Sequence, residues 1–472
     1  MAEKEGPVKF GRTLALLGTF LVLLAAVLFF DARGRKRAAA KEQEGRLVDL
    51  AAADIVKMSI RNEGSVLTFE RDEAGAWKIV EPLETAADAV EVGALADAAA
   101  GLRIERVVEA SAADPSTYGI PGNELSLWVK GREKPVRLLL GMENPIDKSQ
   151  FVKRDDDPRV VLIAGRLKDL VAKKLIDFRR KDIFTFDRTR VSAVGVRSAG
   201  GTWKAAKKDE EWSLESPVRA LAARSRIEGL LDSLAGLRAK EFVSEKRTDD
   251  DLRASGLDKA EYEVVLAMPA GDKEAWIRIH KEGDRVAAAS SLADKVILID
   301  GAVLADLDKK PEEYREKKVA VFDSWEADRI SIAAGSLSVS AVKEKTGETE
   351  AWFLEGPARA EADGSKVETF IRKIEGLEAV GFIDAPGALA EYGLERPSVE
   401  VRIRTKDYEG KVREAAILAG RPDAEGKQVV VKNAALGYLF RVDASFLKDV
   451  PRDAKDWTAS PEAKPKEGKK AP

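Results

Sequence analysis

The chain has 472 residues, 44% of them hydrophobic and 34% charged, and its 79 basic and 82 acidic side chains nearly cancel. That balance describes globular material with no general polyanion-binding surface, so no nucleic-acid partner is expected, and the length suggests about three domains. There is no cysteine and one histidine, His280, which excludes disulfides, thiolate metal sites and cysteine nucleophiles and leaves histidine chemistry a single residue.

Residues 1–12 form a short N-terminal tail carrying Lys4, Lys9 and Arg12. Residues 13–30 then run without a charge and are rich in Leu, Ala, Val and Phe. A helix of that length rises about 27 Å, enough for a bilayer core. A cleaved signal peptide would place a small-residue cleavage site directly after the apolar run. Phe29-Phe30-Asp31 and the basic residues Arg33, Arg35, Lys36 and Arg37 follow instead, so the segment is read as an uncleaved single-pass anchor. The more basic C-terminal flank argues for a cytoplasmic body. The short N-terminal tail with its own lysines and arginine argues for a signal-anchor with an extracytoplasmic body, the orientation expected here. Residues 31–46 are a charged, alanine-rich linker.

Three markers then recur in one order. A tryptophan strand ends near proline in Trp77-Lys78-Ile79-Val80-Glu81-Pro82, Trp212-Ser213-Leu214-Glu215-Ser216-Pro217 and Trp352-Phe353-Leu354-Glu355-Gly356-Pro357. Next come Gly101-Leu102-Arg103, Gly236-Leu237-Arg238 and Gly376-Leu377-Glu378. Last come the turns at Gly119, Gly256 and Gly393, each 137 residues from the next. The spacing predicts three repeat modules, 47–183, 184–321 and 322–457, followed by a tail, 458–472, of disordered composition.

Within the first module, Ile55–Phe69 alternates around Asn62-Glu63-Gly64-Ser65 as a β-hairpin, and Trp77–Val80 is a strand that Pro82 ends. Residues 86–102 carry apolar positions at helical period, and 104–108 read as a strand. Leu125–Val129 and Val136–Leu140 alternate as a second hairpin, Val160–Ile163 is a late strand, and Leu167–Phe178 is expected to close the module as one amphipathic helix. The second module repeats this order, with a hairpin turn at Gly200-Gly201, a helix over 223–237 and a charged connector at 309–318. The third has a helix over 365–377, with Ser365 expected as its cap and Glu368 as the capping-box partner. Each module is thus α+β, mostly antiparallel hairpins with two helices, behind one N-terminal transmembrane helix.

No catalytic, cofactor-binding or metal-ligating set stands out. His280 ends an alternating strand without a partner constellation. Asp155-Asp156-Asp157 and Asp249-Asp250-Asp251 lack the alternating oxygens, central glycine and closing glutamate of a calcium loop and read as solvated turns. Gly195–Gly201 lacks the lysine and the strand-to-helix setting of a phosphate loop. Two repeated sets remain as a partner or ligand surface: the tryptophans Trp77, Trp212 and Trp352, for which core packing is the stronger alternative, and the carboxylates Glu81, Glu215 and Glu355, which could instead accept local donors.

Gly75-Ala76-Trp77, Glu81-Pro82, Tyr118-Gly119-Ile120-Pro121 and Tyr392-Gly393-Leu394-Glu395-Arg396-Pro397 resemble the turn and core signatures of a bacterial domain-of-unknown-function family. The resemblance covers residues 47 to 457; the second module departs from it, with Ser255 for tyrosine and no following proline. Members are membrane-anchored, carry tandem modules and are often encoded beside ABC-type transporters of the gliding-motility kind. The resemblance implies an accessory or scaffold role in the cell envelope, at the inner membrane, without an enzymatic residue to carry over. An extracytoplasmic lipid- or glycan-binding module is the alternative.

Overall fold

In a computed structural model the chain is described over residues 45–459, except 63, 165, 270–272, 348 and 357–358. The N-terminal tail, the expected anchor at 13–30, nearly all of the linker and the end of the C-terminal tail lie outside the described residues. Among the described residues no helix is long and apolar enough to cross a membrane.

Three antiparallel sheets of nine strands follow one another along the chain. The first holds β1 (Ile55–Asn62), β2 (Ser65–Arg71), β3 (Trp77–Glu81), β4 (Thr85–Ala86), β5 (Arg106–Glu109), β6 (Asn123–Val129), β7 (Val136–Glu143), β8 (Gln150–Arg154) and β9 (Val160–Ile163), in the spatial order β4-β3-β2-β1-β6-β7-β8-β9-β5. The second holds β10 (Ala193–Ser198), β11 (Gly201–Lys208), β12 (Glu211–Ser216), β13 (Ala220–Leu221), β14 (Glu241–Ser244), β15 (Tyr262–Ala267), β16 (Ala275–Glu282), β17 (Arg285–Ser290) and β18 (Ala293–Leu298). The third holds β19 (Ala327–Ala334), β20 (Leu337–Thr346), β21 (Thr349–Glu355), β22 (Ala360–Glu361), β23 (Ala379–Ile383), β24 (Val399–Lys406), β25 (Val412–Pro422), β26 (Gln428–Asn433) and β27 (Leu439–Asp443). Both repeat the order of the first. Each sheet is therefore two meanders joined back to back, β1 against β6 and its counterparts.

A helix of 12 residues carries the chain from one edge of each sheet to the other: Ala89–Ala100, Arg224–Ala235 and Gly364–Glu375. Each buries one stripe at the same spacing, namely Val92, Leu95, Ala96 and Ala99, then Ile227, Leu230, Leu231 and Leu234, then Val367, Phe370, Ile371 and Ile374. Steps of three and four residues keep such a stripe on one side of a helix. The stripe meets the inward positions of the strands, such as Met58, Ile60, Leu125, Leu127, Leu138 and Leu140 in the first sheet. The period-2 alternation of strands such as Tyr262–Ala267 and Val399–Lys406 sends their other residues to the opposite face.

The chain forms two compact units, one ending at Lys181 and the other beginning at Asp182 and holding the second and third sheets. An aromatic residue closes each sheet under its helix. The carbonyl of Phe178 accepts from Asp88 N at 2.7 Å, that of Tyr314 from Ala223 N at 2.8 Å and that of Trp457 from Asp363 N at 2.7 Å.

Four expectations need correction. Leu167–Phe178 is two short helices, Arg166–Val171 and Leu175–Phe178, because Lys174 between them takes extended backbone, φ -89° and ψ 166°. Each sheet therefore carries one long helix, with only short helices and 3-10 turns besides, giving mostly sheet with few helices. Residues 309–318 are not merely a charged connector: a 3-10 turn over Pro311–Tyr314 leads into Tyr314 and Arg315, 1% and 2% exposed. The third helix is capped not by Ser365 but by Asp363, whose side chain accepts from Lys366 N. Asp249-Asp250-Asp251 is not a turn but the start of the helix Asp249–Ala254, capped by Thr248, with Asp251 completing a capping box.

Candidate functional site

The repeated tryptophans lie in the cores, with Trp77 at 7% and Trp212 and Trp352 at 3% exposure. The Arg71 guanidinium covers Trp77 at 4.3 Å, and Trp352 Nε1 donates to Glu368 at 3.3 Å. Glu81, Glu215 and Glu355 are exposed at matching strand ends and are engaged locally. Thr68 Oγ1 donates to Glu81 at 2.6 Å, Lys204 pairs with Glu215 at 3.2 Å and Arg329 with Glu355 at 2.6 Å. The structure does not bring these six residues to one place; it repeats a tryptophan and a carboxylate once per sheet. Among the described residues no cluster of acidic or histidine side chains could hold a metal ion.

The glycine turns are more informative. Gly119, Gly256 and Gly393 all take left-handed backbone, φ 70, 68 and 68°, which a Cβ disfavours by about 1–2 kcal/mol. Each presses on the strand after β6 or its counterpart, and register aligns what it meets there. Leu140 pairs with Val152, Ile279 with Ala288 and Ala419 with Val431, so Gly141, His280 and Gly420 are equivalent. A Cβ on Gly141 would strike the Tyr118 carbonyl oxygen, and one on Gly420 the Tyr392 carbonyl oxygen. In the second sheet the His280 ring lies over Gly256 instead, with its Nδ1 buried and without a hydrogen-bond partner.

What surrounds these turns differs from sheet to sheet. In the first, Tyr118 packs on Phe151 with ring centroids 5.0 Å apart, and Phe151 pairs across the ladder with Leu162. In the second, Ala287 pairs with Leu298, and a small apolar cluster of Leu257, Ala287, Ala289 and Val296 fills the space. In the third, the corresponding pair is Val430 with Arg441, and the space is open. A groove of about 580 Å³ runs there, lined by Tyr392, Gly393, Arg396, Arg421, Val430 and Arg441. Glu391, Glu395 and Asp423 also border it. Among the described residues Arg396, Arg421 and Arg441 have no ion pair or hydrogen-bond partner. The Asp423 carboxylate is occupied by the amides of Lys427 at 2.8 Å and Gln428 at 3.1 Å. Glu391 folds back towards Gly387, where an added Cβ would stand 2.7 Å from its Oε2.

The sequence shows Arg396 only as part of the Tyr392–Pro397 turn signature, and none of Arg396, Arg421 and Arg441 was expected as a site residue. Arg421 and Arg441 stand 20 positions apart on β25 and β27, and only the strand register brings them to one groove.

No curated protein matches the chain. Among solved structures, the DNA polymerase III subunit beta from Pseudomonas aeruginosa aligns at 9% identity over 84% of this chain and 94% of that one, with a TM-score of 0.14. A DNA polymerase sliding clamp from Pseudomonas aeruginosa with ligand aligns at 9% identity over 84% and 92%, with a TM-score of 0.15. Scores that low carry no argument about fold or function. A family profile, by contrast, matches three times, over residues 77–260, 212–386 and 352–466, starting each time at the tryptophan of a repeat. With most of its length matched in three tandem copies, the chain belongs to the family described as Domain of unknown function (DUF4340).

Proposed function

We propose that this chain is a membrane-anchored, non-enzymatic accessory or scaffold protein of the bacterial envelope, held beside an ABC-type transporter at the inner membrane. One observation carries the reading: the same nine-stranded sheet stands three times in tandem, each with its helix packed on one face. Repeated surfaces on one chain raise the effective concentration of each contact once another is made, which suits a protein that gathers partners. The charge-free run at 13–30 supports the anchor, and the short basic tail before it supports an extracytoplasmic body. Association with the transporter rests on the family resemblance.

Photocrosslinking side chains placed at Arg402 and Arg278, on the faces opposite the helices in the third and second sheets, test this in intact cells. Recovery of transporter or envelope subunits from both positions is the expected result. Crosslinks to neither class, with the protein present at normal level in membranes, would remove the scaffold reading. A reporter fused after Pro472 reads the side of the membrane.

A second reading, an extracytoplasmic lipid- or glycan-binding module, draws its support from the open groove at Gly393 and not from the tryptophans, which are covered.

A further inference from the structure

We propose that the groove of the third sheet is a binding site for a phosphate group, held by Arg396, Arg421 and Arg441. This deepens the second reading above by naming the ligand chemistry. One scaffold stands here in three versions. Where the third sheet has Arg441 opposite Val430, the first has Leu162 opposite Phe151 and the second Leu298 opposite Ala287. Three residues after the turn glycine, the third module has Arg396 where the first has Gly122. One residue after the strand glycine it has Arg421 where the first has Met142. The first sheet fills the space with the Tyr118–Phe151 ring pair and the second with an apolar cluster. In the third, Val430 stands where the first has Phe151, Tyr392 has no ring partner among the described residues, and Arg396, Arg421 and Arg441 line the opening.

Surface arginines usually find carboxylates, and the same sheet shows it: Arg404 is bidentate to Asp328 at 2.8 and 3.0 Å, and Arg402 bonds Glu400 at 2.6 Å and Glu414 at 3.1 Å. The groove arginines do not, although Glu391, Glu395 and Asp423 border them. Asp423 is committed to backbone amides, Glu391 lies beside Gly387, and Glu395 borders the groove without an ion pair to any of the three arginines. The groove thus presents unspent donors rather than a field of bare positive charge. A guanidinium offers parallel donors that match a carboxylate or phosphate edge. A single carboxylate has about four lone-pair positions and cannot use three such forks, whereas a phosphate monoester brings three terminal oxygens and a diester two terminal and two ester oxygens. The volume suits a phosphorylated group of small-molecule size.

Such a phosphate comes either from a soluble monoester or from a phospholipid headgroup diester, and the test separates them. The full chain, reconstituted in phosphatidylcholine nanodiscs, is titrated by calorimetry with glycerol 3-phosphate and with glycerophosphoglycerol, the headgroup diester of an anionic lipid. The expected result is saturable, salt-sensitive binding of at least one. Arg421→Gln or Arg441→Gln should weaken it by about tenfold, the scale of one charge-assisted hydrogen-bonded pair. Val430→Phe with Arg441→Leu, which rebuilds the first sheet's pair, should abolish it, while far-ultraviolet circular dichroism stays unchanged. Preference for the monoester identifies a soluble ligand, and equal or better binding of the diester identifies a lipid headgroup. No binding of either probe, or binding that these variants leave unchanged, overturns the proposal. Lipid or glycan binding that persists in the arginine variants would leave the second reading standing while removing this site.

Discussion

At the scale of single residues, positions that look alike in the repeat are held by different neighbours, and this makes them separately testable. Gly256→Ala should be the most costly alanine among the three turn glycines. All three would suffer the left-handed backbone penalty, but at Gly256 the new methyl also meets the His280 ring. A loss of about 2–3 kcal/mol is expected from strain and overpacking together. In a His280→Ala background the same change should cost about 1–2 kcal/mol, the backbone share alone. A denaturant double-mutant cycle measures the coupling, and strict additivity would sink the account. Asp157 gives a second case. It ends the acidic run expected as a solvated turn, yet it is buried, and Arg159 holds it through its Nε and Nη2, the latter at 2.7 Å. The hydrogen bond from Arg159, above all, lowers its pKa to about 2. A carboxylate depressed in the fold contributes stability that is full above its ordinary pKa near 3.8 and is lost as pH falls through about 2. Asp157→Asn should therefore flatten the pH dependence of unfolding free energy between about pH 4 and pH 2 and lower stability at neutral pH by about 1–2 kcal/mol.

At the scale of elements, the helix caps decide how the crossing is anchored. Asp363→Ala should cost about 1 kcal/mol by freeing the Lys366 amide, while Ser365→Ala, two residues inside the same helix, should stay within about 0.5 kcal/mol. Thermal unfolding of the two variants compares them directly, and equal losses would restore Ser365 as the cap. This misplacement shows what local pattern can and cannot decide. Strands were legible because Leu125-Ser126-Leu127 and Val399-Glu400-Val401 alternate, and helices because Ile227, Leu230, Leu231 and Leu234 recur at helical spacing. The cap was misread because Asp363 and Ser365 both suit the role chemically, and the choice depends on where Trp457, 94 positions later, delivers its carbonyl to the Asp363 amide. The closing aromatics were missed for the same reason: Phe178, Tyr314 and Trp457 share a location, not a motif. The groove was not legible from local pattern. Arg396 lay in a recognised stretch, but the gathering of Arg421 and Arg441 depends on ladder register, which no window of neighbouring residues contains.

At the scale of the molecule, the repeat has no unique starting point. The family profile begins at Trp77, Trp212 and Trp352 and its first two matches run into the following sheet, whereas each sheet closes only when its ninth strand pairs with its fifth. A periodic sequence can be cut at any phase, but a sheet with a buried face cannot, because half of it would leave that face exposed to water. The second and third sheets are joined by a segment whose pivotal residue is Arg315. Its side chain is 1% exposed, pairs with Asp384 at 2.7 Å and stacks 3.7 Å over Phe382. Its Nε and Nη2 are buried without partners. Removing a charge from water costs more than such a partial pairing returns, so an ion pair of this kind fixes geometry rather than adding stability. The consequence is an asymmetry. Asp384→Ala, which strands the guanidinium, should destabilise the second compact unit by about 1–3 kcal/mol. Arg315→Met, which keeps the stacking volume and removes the charge, should be neutral to within about 1 kcal/mol. If the pair sets the angle between the two sheets, Arg315→Met should also make the bond between Lys317 and Lys318 more accessible to limited trypsin digestion at unchanged global stability. A large stability loss in Arg315→Met together with a mild one in Asp384→Ala would reverse the assignment and make the pair a net source of stability.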